Sequence, residues 1–252
     1  MEWDEKVYGD RIAGVYDDLY EELFDKAGAV AFLAERSRGA DGHGEGNVLE
    51  LAIGTGRIAL PLVQQGVALQ GIDISQAMID KLRAKPGGAD IPVTMGDFTD
   101  VGVPGRFDLV YLVFNTIFAL TTQEAQTRLF HNVAEHLTDQ GVFVVEAFVP
   151  DIARFARHQN TEVVDVGLDR VHLNFSRHDP VTQVIKSQQV MVTEHGTQMF
   201  PVQLRYVWPS EMDLMAKLGG LELRERYASW SRDHFTSESK AHVSVYRLAR
   251  QW

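Results

Sequence analysis

Short apolar runs and amphipathic stretches alternate along this chain, and the period of the pattern changes at two places. Residues 1–24 read as helical and carry Tyr8, Tyr16 and Tyr20; the four-residue step from Tyr16 to Tyr20 puts both rings on one helix face. A second helix is predicted over residues 25–36, and the glycine-rich polar stretch at 39–46, with His43, reads as a solvated connector. From residue 47 strands and helices take turns. Apolar runs at 48–51, 67–72, 91–95, 107–114 and 142–146 are the predicted strands, the last following a turn at Gln140-Gly141. Helices are predicted at 57–65, ended by Gly66, at 76–84, capped by Ser75, and from a capping box of Thr121 and Glu124 to about residue 137. Such alternation builds a parallel sheet with crossover helices.

Past Pro150 the period drops to two. Val171, Leu173 and Phe175 alternate with polar residues, Asp179-Pro180 turns the chain, and alternation resumes at Val190 and Val192 and again at Val202, Leu204 and Tyr206. Alternation without intervening helices predicts an antiparallel layer of about three strands. Pro209 opens a further helix, Gly219-Gly220 ends it, and residues 221–227 and 243–248 read as the last two strands. The expected organisation is one α/β domain in four segments: helical at 1–46, a strand–helix core at 47–150, an inserted β-layer at 151–207, and a completion of the core sheet at 208–252.

Composition narrows the classes. A chain of 252 residues that is 45% hydrophobic fits one large globular domain. No apolar stretch approaches the roughly 20 residues that span a bilayer, and the acidic, polar start Met-Glu-Trp-Asp-Glu-Lys is unlike a signal peptide. Cysteine is absent, which excludes disulfides, thiolate metal sites and cysteine nucleophiles, and the nine histidines are scattered without ligand spacing, so no metal is expected. A formal net charge of −11 argues against nucleic acid as a partner, because phosphate recognition needs a positive field. These features predict a cytoplasmic monomer or homodimer that binds neither nucleic acid nor membrane.

The chemistry is concentrated in Val48-Leu49-Glu50-Leu51-Ala52-Ile53-Gly54-Thr55-Gly56. A buried strand here turns sharply into a helix, and glycine serves where a Cβ would strain the turn or hold a ligand off the backbone. Such a turn, at the carboxyl edge of a parallel sheet, is where nucleoside-containing cofactors bind. Asp73 closes the next strand, near the distance at which a carboxylate accepts both ribose hydroxyls. Gly54-Thr55-Gly56-Arg57-Ile58-Ala59 also fits G-x-G-x-x-A, with Asp73 on an NAD ribose, so an NAD-dependent oxidoreductase is one reading of these residues.

The wider set of residues resembles the class I S-adenosylmethionine-dependent methyltransferases. Glu50 to Gly56 is similar to that family's first motif, an acidic residue followed by three alternate glycines, with Ala52 in the first glycine slot. Asp73-Ile74-Ser75-Gln76-Ala77-Met78 resembles the second motif, and Asp97, in Gly96-Asp97-Phe98, matches the carboxylate that accepts from the adenine 6-amino group. Residues 115–120 and 204–211 are similar to a small-molecule subgroup that includes amino-sugar N,N-dimethyltransferases and peptide N-methyltransferases of bacterial secondary metabolism. The resemblance implies a Rossmann-like α/β fold: a mostly parallel sheet with an antiparallel last strand, and an inserted antiparallel β-layer covering the active site. It implies S-adenosyl-L-methionine as cofactor, with S-adenosyl-L-homocysteine as product. The cofactor-binding residues it implies are Tyr20, Glu50, Ala52, Gly54, Gly56, Asp73, Ile74, Met78, Asp97, Phe98 and Phe114.

The implied reaction is methyl transfer to a nitrogen or oxygen of a small-molecule or peptide acceptor. Candidate catalytic residues are Tyr16, Asn115 and Glu146. Asn115 lies just beyond the fourth strand, and Glu146 ends the fifth within an apolar run, where it would either face the pocket and hold a cationic acceptor, the favoured reading, or pair with a neighbouring basic group. Tyr16 and Tyr20 would either close over cofactor and substrate as part of an N-terminal lid or serve as the packed face of an amphipathic helix. Arg205 and Tyr206 are candidate acceptor contacts; neighbours in one strand point to opposite faces, so at most one faces the cavity. A cofactor-binding assembly subunit without catalysis is a further reading, which a filled acceptor cavity would favour.

Overall fold

The computed structural model describes residues 5–20, 24–38 and 46–249. His43 therefore lies outside the described residues. Helices α1 (Glu5–Ile12), α2 (Tyr16–Tyr20) and α3 (Lys26–Arg36) come first. Asp25 caps α3 by accepting from the Gly28 amide at 2.8 Å. The core follows as β1 (Val48–Leu51), α4 (Ala59–Gln64), β2 (Leu69–Asp73), α5 (Gln76–Arg83), β3 (Val93–Met95) and β4 (Phe107–Leu112). Next are α6 (Gln123–His136), β5 (Leu137–Phe148), β6 (Gln159–Val166), β7 (Arg170–Asp179), β8 (Val184–Thr193) and β9 (Gly196–Arg205). The chain closes with α7 (Pro209–Leu218), β10 (Leu221–Tyr227) and β11 (Ala241–Leu248).

The main sheet has seven strands in the order β3-β2-β1-β4-β5-β11-β10. Pairing is parallel from β3 through to β5, whereas β11 runs antiparallel to both β5 and β10. The expected mostly parallel sheet with an antiparallel last strand is thus what the chain forms. Its strands read as nearly continuous apolar runs because both faces are covered. Leu49, Leu51, Leu112 and Val145 pack under α6 and α7, while Val48, Leu109, Tyr111 and Val144 pack under α3 and α4. Strand order reverses between β1 and β4, and an open α/β sheet leaves a crevice at that reversal.

The inserted layer is a separate antiparallel sheet in the order β6-β7-β8-β9. It has one strand more than the alternation predicts. The added strand is β6, an edge strand exposed along most of its length, with Val163, Val164 and Val166 open on its surface. No inward face imposes a period of two on it. Ile12 and Ala13 pack with Met78 of α5 and Phe200 of β9, so the N-terminal helices are wedged between the core and the inserted layer.

Three local expectations change. The cap of α6 is Thr122, accepting from the Ala125 amide at 3.1 Å, one residue later than the Thr121–Glu124 box. The turn expected at Gln140-Gly141 is instead part of a continuous β5, and the irregularity is a register shift against β4 between Phe107 and Leu109. Strand β4 stops at Leu112 rather than residue 114 because Phe114 and Asn115 enter left-handed backbone at φ 57° and 63°.

Candidate functional site

At the crevice between β1 and β4, under the inserted layer, lies a cavity of about 340 Å³. The strand tips contribute Ala52, Gly54, Asp73, Ile74, Asp97 and Phe98; α5 contributes Met78 behind its cap Ser75. Tyr8, Tyr16, Tyr20 and Phe24 come from the N-terminal segment, Phe114, Asn115, Thr116 and Ala119 from the turn after β4, and Phe148 from the end of β5. The inserted layer adds Gln189, Val202, Gln203 and Leu204.

The glycine loop is built by backbone conformation. Ala52, Gly54 and Gly56 all have positive φ, at 54°, 56° and 78°. At Gly54 a Cβ would meet nothing nearer than the Ala52 carbonyl at 3.9 Å, so the space above it belongs to the cavity. Gly56 serves a different end. A Cβ there would come within 2.3 Å of Leu82 Cδ1, which makes its role the close packing of this loop on α5, away from the cavity. Ala52 is the one residue of the three with a side chain, and left-handed backbone costs a non-glycine residue roughly 1–2 kcal/mol. After the greater unfolded-state freedom of glycine is offset, Ala52→Gly is expected to stabilise the fold by about 0.5–1 kcal/mol and raise Tm by about 1–4 °C. Thermal denaturation checks this; an unchanged or lower Tm would mean that the alanine sits there without strain.

Asp73 ties the loop to α5. One carboxylate oxygen accepts from the Gly54 amide at 2.7 Å and the other from the Ser75 amide at 2.8 Å. Burial pushes its pKa up, against the pull of these backbone donors. Asp97 stands at the next tip, accepting from the Thr99 amide at 2.8 Å.

Glu50 does not reach the cavity. It is fully enclosed on the α3–α4 side of β1, in register with Tyr111 of β4, whose hydroxyl donates to it at 2.7 Å. Burial pushes the Glu50 carboxyl from 4.5 up to about 8, further raised by the charge of Asp73 and opposed by the Tyr111 hydrogen bond. The folded chain therefore keeps a proton that the unfolded chain releases at ordinary carboxylate pH. Stability from this group is complete below about pH 4.5 and declines as pH rises to about 8. Glu50→Gln carries no such proton, so its urea-denaturation stability is expected to decline less over that range and to exceed the parent's at its upper end. Parallel pH profiles for the two proteins would contradict the assignment.

Glu146, expected to face the pocket, faces the turn behind it. Its carboxylate accepts from the Phe114 amide at 3.0 Å and from the Trp230 indole at 2.9 Å, and burial pushes its pKa up. The Glu146 carbonyl also accepts from the Asn115 amide, and Asn115 Oδ1 accepts from the Phe148 amide at 2.6 Å. These bonds hold two consecutive left-handed residues, a strained arrangement that persists only where surroundings over-determine it.

The N-terminal segment is held by polar contacts to the glycine loop. Asp17 accepts from the Thr55 hydroxyl at 2.6 Å and pairs with Lys85 Nζ at 2.6 Å, while Lys85 also donates to the Thr55 carbonyl. Burial alone would raise the Asp17 pKa, but the Lys85 and Thr55 hydrogen bonds outweigh it and hold the carboxyl below its usual range. The Arg57 guanidinium donates to the Tyr20 carbonyl at 2.6 Å and lies over the rings of Tyr16, Phe24 and Phe114. The Tyr16 and Tyr20 rings pack tilted at 52°, with centroids 4.9 Å apart, and the Tyr8 and Tyr20 hydroxyls are 3.0 Å apart.

Of the residues expected from sequence, the fold brings Tyr16, Tyr20, Ala52, Gly54, Asp73, Ile74, Met78, Asp97, Phe98, Phe114 and Asn115 to one cavity. Glu50, Gly56, Glu146, Arg205 and Tyr206 stand outside it. Arg205 is buried against α6 and α7, bonded to Gln126, Gln183 and Glu211. The Tyr206 hydroxyl bonds His178 at 3.0 Å, and Tyr206 lines a neighbouring pocket with Ile152 and Lys240. Both lie where β9 leaves the inserted layer for α7, past the point at which that layer covers the cavity. Sequence reasoning did not single out Tyr8, Phe148 or Gln189 as site residues. A signal for Gln189 exists in the polar run Ser187-Gln188-Gln189 within a strand, but it acquires meaning only with the cross-strand register.

The described residues contain no His, Cys, Asp and Glu group that could hold a metal ion, and no helix long and apolar enough to cross a membrane. A methyltransferase-domain profile matches residues 48–141. The chain is 28% identical to the cypemycin N-terminal methyltransferase of a Streptomyces species over 98% of this chain and 99% of that protein. The solved CcbJ methyltransferase of Streptomyces caelestis shares 37% identity and superposes with a TM-score of 0.87, covering 98% of this chain and 100% of that one. The fold is also that of CalS10 of Micromonospora echinaspora, an amino pentose methyltransferase solved with S-adenosylmethionine bound, at 20% identity and a TM-score of 0.68, with 92% of this chain and 96% of that one covered. A likeness that runs from end to end, over a sheet whose tips carry the glycine turn and both acidic residues, removes the NAD reading and makes this chain an enzyme of the S-adenosylmethionine-dependent methyltransferase family.

Proposed function

We propose that this methyltransferase acts on an amine nitrogen of a small molecule or peptide, with residues 1–46 as a lid and 151–207 as a roof over the acceptor. The residues at the strand tips fit an adenosyl group. Gly54 leaves space that a Cβ would fill, Asp73 and Asp97 present carboxylates suited to ribose hydroxyls and an adenine amino group, and Ile74, Met78 and Phe98 give apolar walls. When bound, S-adenosylmethionine supplies an already activated methyl carbon on a sulfonium. The chain then has to align an acceptor and exclude water, and positioning of this kind supplies several kcal/mol.

The observation that carries the nitrogen assignment is the lining itself. Among the described residues around the cavity there is no His, Lys, Arg or Glu, and both aspartates lie on the strand-tip wall. The remaining titratable groups are tyrosines. Burial raises Tyr8 well above its ordinary range, helped by Tyr20 and Tyr16, and pushes Tyr16 up to about 12, so neither phenol is a base at neutral pH. An unactivated hydroxyl would require a base to take its proton, whereas an amine that arrives neutral already has its lone pair. The tyrosine and phenylalanine faces also favour the cationic ammonium formed by transfer. Relatives named for a peptide N-terminus and an amino pentose support the same acceptor chemistry.

The test is to supply deuteromethyl-labelled S-adenosylmethionine with matched amines and alcohols and to locate the label by fragmentation mass spectrometry. Label on nitrogen is expected, with a rate that rises with pH up to the pKa of the amine. Label on oxygen would overturn the assignment.

A further inference from the structure

The inserted sheet has two faces, and one of them meets the cavity through Gln189 of β8 and Val202 and Leu204 of β9. On the opposite face the cross-strand register lines up four apolar residues from edge to edge: Val163 of β6, Leu173 of β7, Val190 of β8 and Met199 of β9. Val163 and Met199, at the two ends of this row, are 60% and 57% exposed. Phe175 flanks the row on one side, and Val166, Val171 and Val192 form a second row on the other. Phe175, Val166 and Val192 are also open to solvent. An apolar surface of this breadth is unusual on a chain that remains alone and marks a face that another molecule covers.

The charges at the two ends of the face identify the occupant. Four residues from the row in one direction, Arg177 and Lys186 stand opposite each other in register. Four residues in the other direction come Asp169, in the turn before β7, and Glu194, in the turn after β8. Among the described residues Arg177, Lys186 and Asp169 have no ion-pair partner, and Glu194 meets only the neighbouring His195. The other charges nearby are taken up locally: Asp179 accepts from the Val181 amide and the Thr182 hydroxyl, and Asp165 pairs with Arg170. A two-fold axis along the strands would set each basic end against its own copy. An axis across the strands, through the apolar row, instead sets Val190 on Val190 and Met199 on Met199. It also brings Lys186 to Glu194 and Arg177 to Asp169 of a second copy, because each pair is evenly spaced about the row. Strands of eight to ten residues, spaced about 4.8 Å apart, make a face of roughly 19 by 30 Å, about 570 Å² in plan before side-chain relief, near the roughly 800 Å² per partner of a standard interface. The free edge of β6 is less suited to pairing, since it carries Glu162, Asp165 and a register shift between Val163 and Asp165. We propose that the outer face of the inserted sheet is a homodimer interface, two copies stacked sheet to sheet about a two-fold axis that crosses the strands at Leu173 and Val190. The apolar rows supply adhesion and the ion pairs at both ends fix the direction. Because the same strands roof the cavity on their other face, the second copy braces that roof from outside.

Sedimentation equilibrium of the full chain tests this, and the parent is expected at twice 28.3 kDa. Met199→Glu sets two carboxylates against each other at the axis and should raise the dimer dissociation constant on the order of a hundredfold, since like charges face to face are strongly unfavourable. Retained S-adenosylhomocysteine binding by that variant shows that its fold is intact. Lys186→Glu and Glu194→Lys should each weaken the dimer by about tenfold, and the two together in one chain should restore it to within about threefold of the parent. That rescue is specific to an axis across the strands, because only there does residue 186 of one copy meet residue 194 of the other. A single-chain mass throughout a dilution series of the parent would overturn the proposal. So would a dimer that Met199→Glu leaves intact, which would place the interface elsewhere, as at the β6 edge, or a double variant no tighter than the single ones.

Discussion

Asp73→Ala is expected to weaken S-adenosylhomocysteine binding by about 1–3 kcal/mol, a rise in Kd of roughly five- to over a hundredfold. Two losses combine. The first is the carboxylate proposed to accept from the ribose hydroxyls at the tip of β2. The second is the link between the glycine loop and the cap of α5, because each Asp73 oxygen accepts a backbone amide, one from Gly54 and one from Ser75. Asp73→Asn separates them. An asparagine keeps one acceptor oxygen, so it should retain more of the fold's stability than alanine does while still binding the nucleoside less well. Calorimetric titration with S-adenosylhomocysteine reads the first loss, and thermal denaturation without ligand reads the second. Affinity unchanged in the alanine variant would remove Asp73 from the cofactor site.

Glu146→Ala is expected to lower kcat/KM on the order of a hundredfold even though this side chain does not line the cavity, since misplacing reacting groups by about 1 Å has that effect. Removing the carboxylate leaves the Phe114 amide and the Trp230 indole as buried donors without an acceptor, a stability cost of about 2–4 kcal/mol. Phe114 and Asn115 then lose the contact that holds their left-handed backbone, and both line the cavity. Glu146→Gln supplies one acceptor oxygen and should recover part of both the rate and the stability. The discriminating readout is S-adenosylhomocysteine affinity, which should fall less than in Asp73→Ala, because Asp73 and the glycine loop keep their bonds and only the Phe114 turn is disturbed. A variant with normal kcat/KM would mean that the turn holds itself.

These two predictions differ in how far the sequence alone could support them. Asp73 is legible because its place follows from local order: a strand, a carboxylate, and then Ser75, which caps the next helix through the Met78 amide. Glu146 is legible as an anomaly, a carboxylate in an apolar strand, but not in its direction. Alternation places it on one of two faces, and only the arrival of Trp230 from the segment between β10 and β11 decides which one is polar enough to receive it.

The inserted layer shows the same limit on a larger scale. Its antiparallel character is written in the period of β7 to β9, where inward residues meet a core, while β6 is exposed and follows no period. Gln189 and Asn174 stand on consecutive strands and become neighbours only through the register with which β7 pairs β8.

Taken alone, the amino-acid order determined the strand–helix succession, the glycine turn after β1, the carboxylates at the strand tips and the change of period after Pro150, because each depends on contacts between residues close in the chain. Tertiary structure decided which side chains reach the cavity. Glu50 and Glu146 turn away to Tyr111 and Trp230, Arg205 turns to Gln126, Gln183 and Glu211, and Tyr8 and Gln189 arrive from the N-terminal helices and the inserted layer. The physical reason is that a buried charge or amide goes where its partner is, and partners brought by distant segments leave no mark in local sequence.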